Sequence, residues 1–252
     1  MFPPCPAAAC ATLATLLTGP PRPVEVVAAT PRAVYLSTGD PDVPALGLCT
    51  AEAVHVPCAL VLGPTLHLSP MAVGEPGQVG GGQLVLAGRT VRVARWWRPA
   101  SPRRVAVRPA DLAAVDDPGM GDGVEELLGR GPGLTPLGDD VLAGRLVALT
   151  VLDPPAARRL ARVVDALAPA RTTSVSAALL RHAGRGECIP ELAALLDGAP
   201  GALTALLRVG HTSGAGLAWG VATALHAAPR VARGPQDPRN FSEVAAGVAG
   251  SG

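Results

Sequence analysis

Two adjacent aspartates, Asp139 and Asp140, close the segment GRGPGLTPLGDD, which carries four glycines and two prolines and runs directly into the apolar stretch VLAGRLVALTVL. Glycines before a helix let a ligand approach unpaired backbone N–H groups at the positive end of the helix dipole. Pro132 and Pro136 stiffen this loop, while Gly131, Gly133 and Gly138 allow backbone angles that other residues avoid. One aspartate can cap the helix, and the second is then a spare carboxylate that could orient an amide donor, pair with an arginine or hold Mg²⁺. The segment is neither a Walker A loop, which needs Gly-Lys-Ser/Thr, nor a dinucleotide fingerprint, which needs a preceding strand.

The same layout recurs twice. VGHTSGAGLAWG places His211, Thr212, Ser213 and Gly214 before an apolar helix, and ARTTSVSAALLRHAG opens another with Arg171, Thr172, Thr173 and Ser174. If the three junctions meet, they supply backbone donors, hydroxyls and a guanidinium, which is the equipment of a small-anion site. Thr135 belongs to the same set through the first loop. His211 is the titratable candidate for proton transfer. His182 is read as helix packing, and His55, His67 and His226 stand singly, without the spacing of a zinc site. Ser213 beside His211 lacks the strand-turn-helix setting of a nucleophile elbow, so sequence adjacency does not make a triad.

The elements that position these residues divide the 252-residue chain into two textures. After a short leading helix over Ala7 to Leu17 and its linker (1–22), the runs VEVVAA, AVYLST, LGLCT, CALVLG and LHLS alternate with Pro, Gly and Asp. QLVLAGRTVRVARWW reads as a hairpin turning at Gly88 and Arg89, with one of Trp96 and Trp97 facing the core. A β domain over 23–108, a small barrel or sandwich, is the expectation. Past the Pro- and Arg-rich stretch that begins at Arg98, the helical period takes over in a domain over 109–228, and 229–252 reads as a flexible tail. The fold class is α+β, with the β domain first and the all-helical domain carrying the site.

Composition excludes several chemistries. All 21 basic residues are arginine, which removes Schiff-base and P-loop lysine mechanisms. A net charge of +1 gives no electrostatic reason to expect nucleic acid or an anionic membrane as partner. Five cysteines without a C-x-x-C pair point to buried, reduced thiols rather than a disulfide framework. No segment has the length of a membrane span, and the front end lacks the basic residues of a signal peptide, so a cytoplasmic protein is expected.

GRGPGLTPLGDDVLAG, RTTSVSAALLRHAGRGE and GHTSGAG, in this order, resemble the signature of a family long described only as a domain of unknown function. That family includes the AllH-type subunit of oxamate carbamoyltransferase. The resemblance implies carbamoyl transfer between carbamoyl phosphate and oxamate, giving oxalurate, or the reverse phosphorolysis in allantoin breakdown. It also implies two partner subunits, one of them acyl-CoA synthetase-like. On that reading Arg171, Thr172 and the helix start near Gly138 bind phosphate or carboxylate, Asp139 and Asp140 position an amide or Mg²⁺, and His211 assists proton transfer. The family's motif carries serine or another small residue where this chain has Leu137, so no hydroxyl acts from that position. Two other classes fit the same residues: a small-anion-binding or scaffolding protein without chemistry, and a Mg²⁺-dependent hydrolase of a phosphate-containing metabolite.

Overall fold

A computed structural model describes residues 4–64, 68 and 70–227. The expected tail over 229–252, His67 and most of the LHLS run lie outside the described residues. Eight strands form a closed barrel in the order β1-β5-β4-β3-β2-β6-β7-β8. They are β1 (Cys5–Cys10), β2 (Arg22–Ala29), β3 (Ala33–Ser37), β4 (Ala45–Cys49), β5 (Ala59–Leu62), β6 (Pro76–Gly80), β7 (Gln83–Leu86) and β8 (Arg89–Trp97). The choice between sandwich and barrel is thereby resolved as barrel. All pairings are antiparallel except β4 with β5 and β1 with β8.

The leading helix expected over Ala7 to Leu17 is corrected. Cys5–Cys10 is the strand that closes the barrel, and only α1 (Ala14–Thr18), preceded by a 3-10 turn, is helical. Alanines favour a helix locally, but β1 satisfies its backbone on both sides, against β5 and β8, and leaves the sheet without an open edge. Leu13, Leu16 and Leu17 of the following turn are buried with the barrel interior. That interior is filled by alternating residues such as Val34 and Leu36 on β3 and Leu46 and Leu48 on β4. The hairpin turn also moves by one residue. Leu86 pairs with Arg89, so Ala87 and Gly88 form the turn with φ of 50° and 69°, the doubly left-handed geometry that two-residue hairpins favour. As expected, one tryptophan turns inward: Trp97 packs against the barrel core and donates its indole N–H to Ala8 O at 3.2 Å, while Trp96 stays exposed.

The outer faces of β3, β4 and β5 carry Ala33, Ala45, Cys49 and Ala59, which share a second core with the helices. Small residues there let helices lie close to the barrel wall. The helical part comprises α2 (Val124–Leu127), α3 (Leu137–Leu152), α4 (Pro154–Arg171), α5 (Ser174–Gly184), α6 (Pro190–Asp197), α7 (Ala202–Leu207) and α8 (Ser213–Ala227). α3 is buried on every side, while α4 buries only one stripe, Ala157, Val164 and Ala168. α3 and α8 pack at backbone distance. A Cβ on Gly144 would sit 2.1 Å from Leu217 O, and one on Gly220 would sit 2.0 Å from Val141 O. Cys10, Cys49, Cys58 and Cys188 are buried free thiols, and no helix among the described residues is long and apolar enough to cross a membrane.

Candidate functional site

The three glycine-bounded junctions meet in space at the N-terminal ends of α3, α5 and α8. Thr172, between α4 and α5, donates its hydroxyl to Asp139 Oδ2, while Asp139 Oδ1 accepts the Gly129 N–H at 2.7 Å. Thr173 caps α5 by accepting the Ser176 N–H and donates its own proton to Leu134 O at 2.7 Å, tying α5 to the glycine loop. The Thr135 and Ser213 hydroxyls lie 3.1 Å apart and join that loop to α8.

Neither aspartate is the helix cap. α3 begins at Leu137 after Pro136, so Asp139 and Asp140 lie inside its first turns. There Asp139 is 2% exposed, and both of its oxygens are occupied by the bonds just described. Its negative charge suits the positive helix end. Asp140 differs: it is also buried, but its Oδ2 has no hydrogen-bond partner. Burial raises its pKa to about 7; the Ser213 hydroxyl works against that rise, and the neighbouring Asp139 carboxylate adds to it. This carboxyl exchanges its proton in the physiological range. A carboxylic acid poised there can act as donor or acceptor.

The glycines serve two ends. Gly131 and Gly133 adopt left-sided φ of 116° and 95° in the exposed loop, whereas Gly138 and Gly214 are buried against backbone. A Cβ on Gly138 would lie 2.0 Å from Leu127 O, and one on Gly214 would lie 1.9 Å from Leu206 O. Arg171, the last residue of α4, is exposed and reaches Glu125 O at 3.4 Å. His211 and Thr212 are exposed on the turn that precedes α8. Among the described residues no group of three or more His, Cys, Asp and Glu is gathered as a metal centre would require. Asp139 and Asp140 stand as a pair, of which one carboxylate already has its oxygens engaged.

Beyond the junction, Asp140 lines a cavity of about 60 Å³ with apolar neighbours that include Val147, Leu179 and Leu217, and Glu187 lines it too. Glu187 was not legible as a functional residue in the sequence. Its Oε2 meets His182 Nδ1 at 2.7 Å and Arg185 Nε at 3.2 Å. Burial works to raise the Glu187 pKa, but His182 and Arg185 together hold it below the usual carboxylate range. His182 is buried as the packing expectation required, yet it is also a polar group with a fixed partner. The adjacent pair His182 and Glu187 in RHAGRGE, five residues apart across a helix end, is the signal that could have found it.

Residues 127–225 match the model of the family described as oxamate carbamoyltransferase subunit AllH. The match begins at the end of α2 and takes in all three junctions, Asp139, Asp140 and the His182–Glu187 pair. The matched residues lie outside the barrel strands. No curated protein and no solved structure matches the chain.

Proposed function

We propose that the chain is a subunit of an oxamate carbamoyltransferase-like enzyme, moving a carbamoyl group between carbamoyl phosphate and oxamate in the cytoplasm together with two partner subunits, one of them acyl-CoA synthetase-like. The family description of residues 127–225 supports the class of activity. The observation that carries the site is the unpartnered Oδ2 of the Asp140 carboxyl, buried where the three junctions converge.

In the forward direction the oxamate amide nitrogen attacks the carbamoyl carbon, the bond from that carbon to the phosphate oxygen breaks, and phosphate leaves with the bonding pair. The proton lost by the nitrogen passes to ionised Asp140. Arg171 and Thr212 bind the anionic ends of the substrates, with Gly131 and Gly133 shaping the loop over them; the Thr172 hydroxyl and the Gly138 and Gly214 N–H groups are spent within the protein, on Asp139, Arg130 O and Val209 O. Asp139 acts through others, holding Thr172 and the Gly129 N–H in place. His211, exposed on its turn, exchanges the proton with solvent. Mg²⁺, if bound, would use the free oxygen of Asp140.

A second reading has one observation in its favour. Thr135, Thr172, Thr173 and Asp139 direct their hydrogen bonds at one another, at Ser213 and at the loop backbone, as they would in a binding or scaffolding subunit without chemistry. Oxalurate formation from carbamoyl phosphate and oxamate, assayed with the chain and its two partners combined, separates the two. The enzyme reading expects Asp140→Asn to lower turnover by at least a hundredfold while the complex still assembles. Undiminished turnover in that variant would leave the scaffold reading standing.

A further inference from the structure

The charge of the chain is small in sum but divided along its length. Residues 89–108 carry seven arginines and no carboxylate, whereas residues 111–126 carry six carboxylates and no arginine. Part of this is settled locally. Arg108 pairs with Asp111 at 2.8 Å, and the backbone N–H groups of Arg103 and Arg104 bind Asp197 Oδ1. Arg92, Arg95 and Arg98 are exposed, and among the described residues none of the three side chains meets a carboxylate.

A bulge in β8 sets this arrangement. By strict alternation Arg95 would share the inner face with Val91 and Val93, which pack in the barrel core. The pairing of β1 with β8 shifts instead: Ala7 faces Val93 but Ala8 faces Arg95, and Ala94 is the extra residue. Arg95 is thereby turned to the outer face with Arg92, and Trp96 is exposed beside them. Five neighbouring strands of the ring, β6-β7-β8-β1-β5, contain no Asp or Glu. Glu75 and Glu52 lie in the loops that lead into β6 and β5. Beside Arg95 the wall is hollowed into a groove of about 430 Å³ lined by Pro6, Ala8, His55, Val61 and the bulged Ala94.

The acidic stretch lies on the other side of the molecule. α5 packs on β3 and β4, which stand four and three steps from β8 around the closed ring of eight, so β8 faces away from the helices. The turn at Pro109–Leu112 packs on α8, and α2 packs on α3. Along this stretch Asp116, Asp117, Asp122, Glu125 and Glu126 are exposed and form no ion pair among the described residues. Arg145 and Arg171 reach it, but their guanidinium N–H groups go to the carbonyl oxygens of Asp122 at 2.9 Å and Glu125 at 3.4 Å. Counting them and the exposed Arg130, five carboxylates still outnumber three arginines. The cationic wall and the acidic stretch therefore point apart and can meet only between chains.

We propose that the β8 wall docks the acidic segment 116–126 of a second copy of this chain, with Arg92, Arg95 and Arg98 against its carboxylates and Trp96 within the contact. Arginine and tryptophan are residues that interfaces favour. Contact between two different patches is head to tail, so each copy offers one more of each and association continues beyond the pair unless the ring closes. Exposed ion pairs are individually weak and screened by salt, which makes the assembly salt-sensitive. The wall contains none of the junction residues, and the proposal does not depend on the carbamoyltransferase reading.

The test is analytical ultracentrifugation of the full chain from about 1 μM to about 1 mM. It is run at about 0.05 M salt and at about 1 M, where the screening length falls to about 3 Å. One variant reverses the wall (Arg92→Glu, Arg95→Glu, Arg98→Glu), and another reverses the segment (Asp116→Arg, Asp117→Arg, Asp122→Arg). The wild-type mass is expected to rise with concentration at low salt. Association weakens at least tenfold at high salt, and at least tenfold in each variant alone. An equimolar mixture of the two variants, in which unlike patches face each other again, restores it, and this rescue requires that both are folded. A wild type that stays monomeric, or association that neither salt nor either variant weakens, would overturn the proposal. So would a mixture that stays monomeric although both variants keep the wild-type circular dichroism. A monomeric wild type that binds an oligo-dT strand at low salt, and loses it on reversal of the wall, would give the wall to nucleic acid and overturn the second copy as its occupant.

Discussion

The β7–β8 turn of the barrel and the packed helices use glycine for opposite purposes. In the barrel, Gly88 sits in a hairpin turn at φ of 69° with open space where a Cβ would project. In the helical part, Gly144, Gly214 and Gly220 lie inside or at the start of helices, and at each a Cβ would stand within about 2 Å of a neighbouring backbone carbonyl oxygen. The barrel glycine solves a problem of backbone angle, whereas the helical glycines solve one of distance. Close approach of α3 and α8 is what brings Asp140 under the start of α8, where a Cβ on Gly216 would lie 2.9 Å from Asp140 Cβ. The geometry of the candidate site is therefore set by the helix packing, and the barrel supplies a wall.

The comparison predicts unequal costs. Gly220→Ala, which puts a methyl 2.0 Å from Val141 O and 2.7 Å from Arg145 N, is expected to destabilise by about 3 kcal/mol, read as a lowered denaturant midpoint. A loss below about 1 kcal/mol would break the claim that α3 and α8 are in backbone contact.

The two parts also differ in how they meet pH. Buried titratable groups in the barrel, such as Tyr35 and Cys58, are pushed by desolvation far above neutrality, and Cys49 reaches about 12, so they stay uncharged through the physiological range. Asp140 does not. Its folded pKa of about 7 stands above the ordinary 3.8, so its contribution to stability is full below about pH 4 and is lost as pH rises to 7. Asp140→Asn should abolish that loss. The variant's advantage over the wild type is expected to grow between pH 4 and pH 7 to a few kcal/mol, of the order set by about 1.4 kcal/mol per pKa unit. Parallel stability profiles for the two proteins would show that Asp140 is ionised throughout.

Gly88→Ala is the small effect. Only the left-handed angle resists the methyl, so a cost of about 1 kcal/mol is expected in the same denaturation experiment.

Much of this architecture could be read from residues alone because the signals were local. Strands β2 to β5 alternate apolar and small residues between turn formers, and α3 to α8 follow their periodicity and caps. Two strands escaped for physical reasons. CPAAAC has helical propensity that only the two flanking strands override, and PGQVG carries two glycines and a proline within a strand paired on both sides. The convergence of the junctions was legible as a repeated layout, since Thr135, Asp139, Thr172, Thr173 and Ser213 all came from the quoted segments. That Asp139 would have both oxygens engaged and Asp140 one oxygen without a partner was not legible, because it depends on which rotamer faces Thr172 and which lies beneath α8.

Thermal denaturation of the wild type beside Asp140→Asn, each with and without carbamoyl phosphate, tests the central claim that the loop junction is a ligand site built around Asp140. Saturation at a hundred times the Kd adds about 2.7 kcal/mol to the ligand-binding protein. The account predicts that carbamoyl phosphate raises the wild-type Tm and leaves that of Asp140→Asn unchanged. Equal shifts in the two proteins, or none in the wild type, would contradict it.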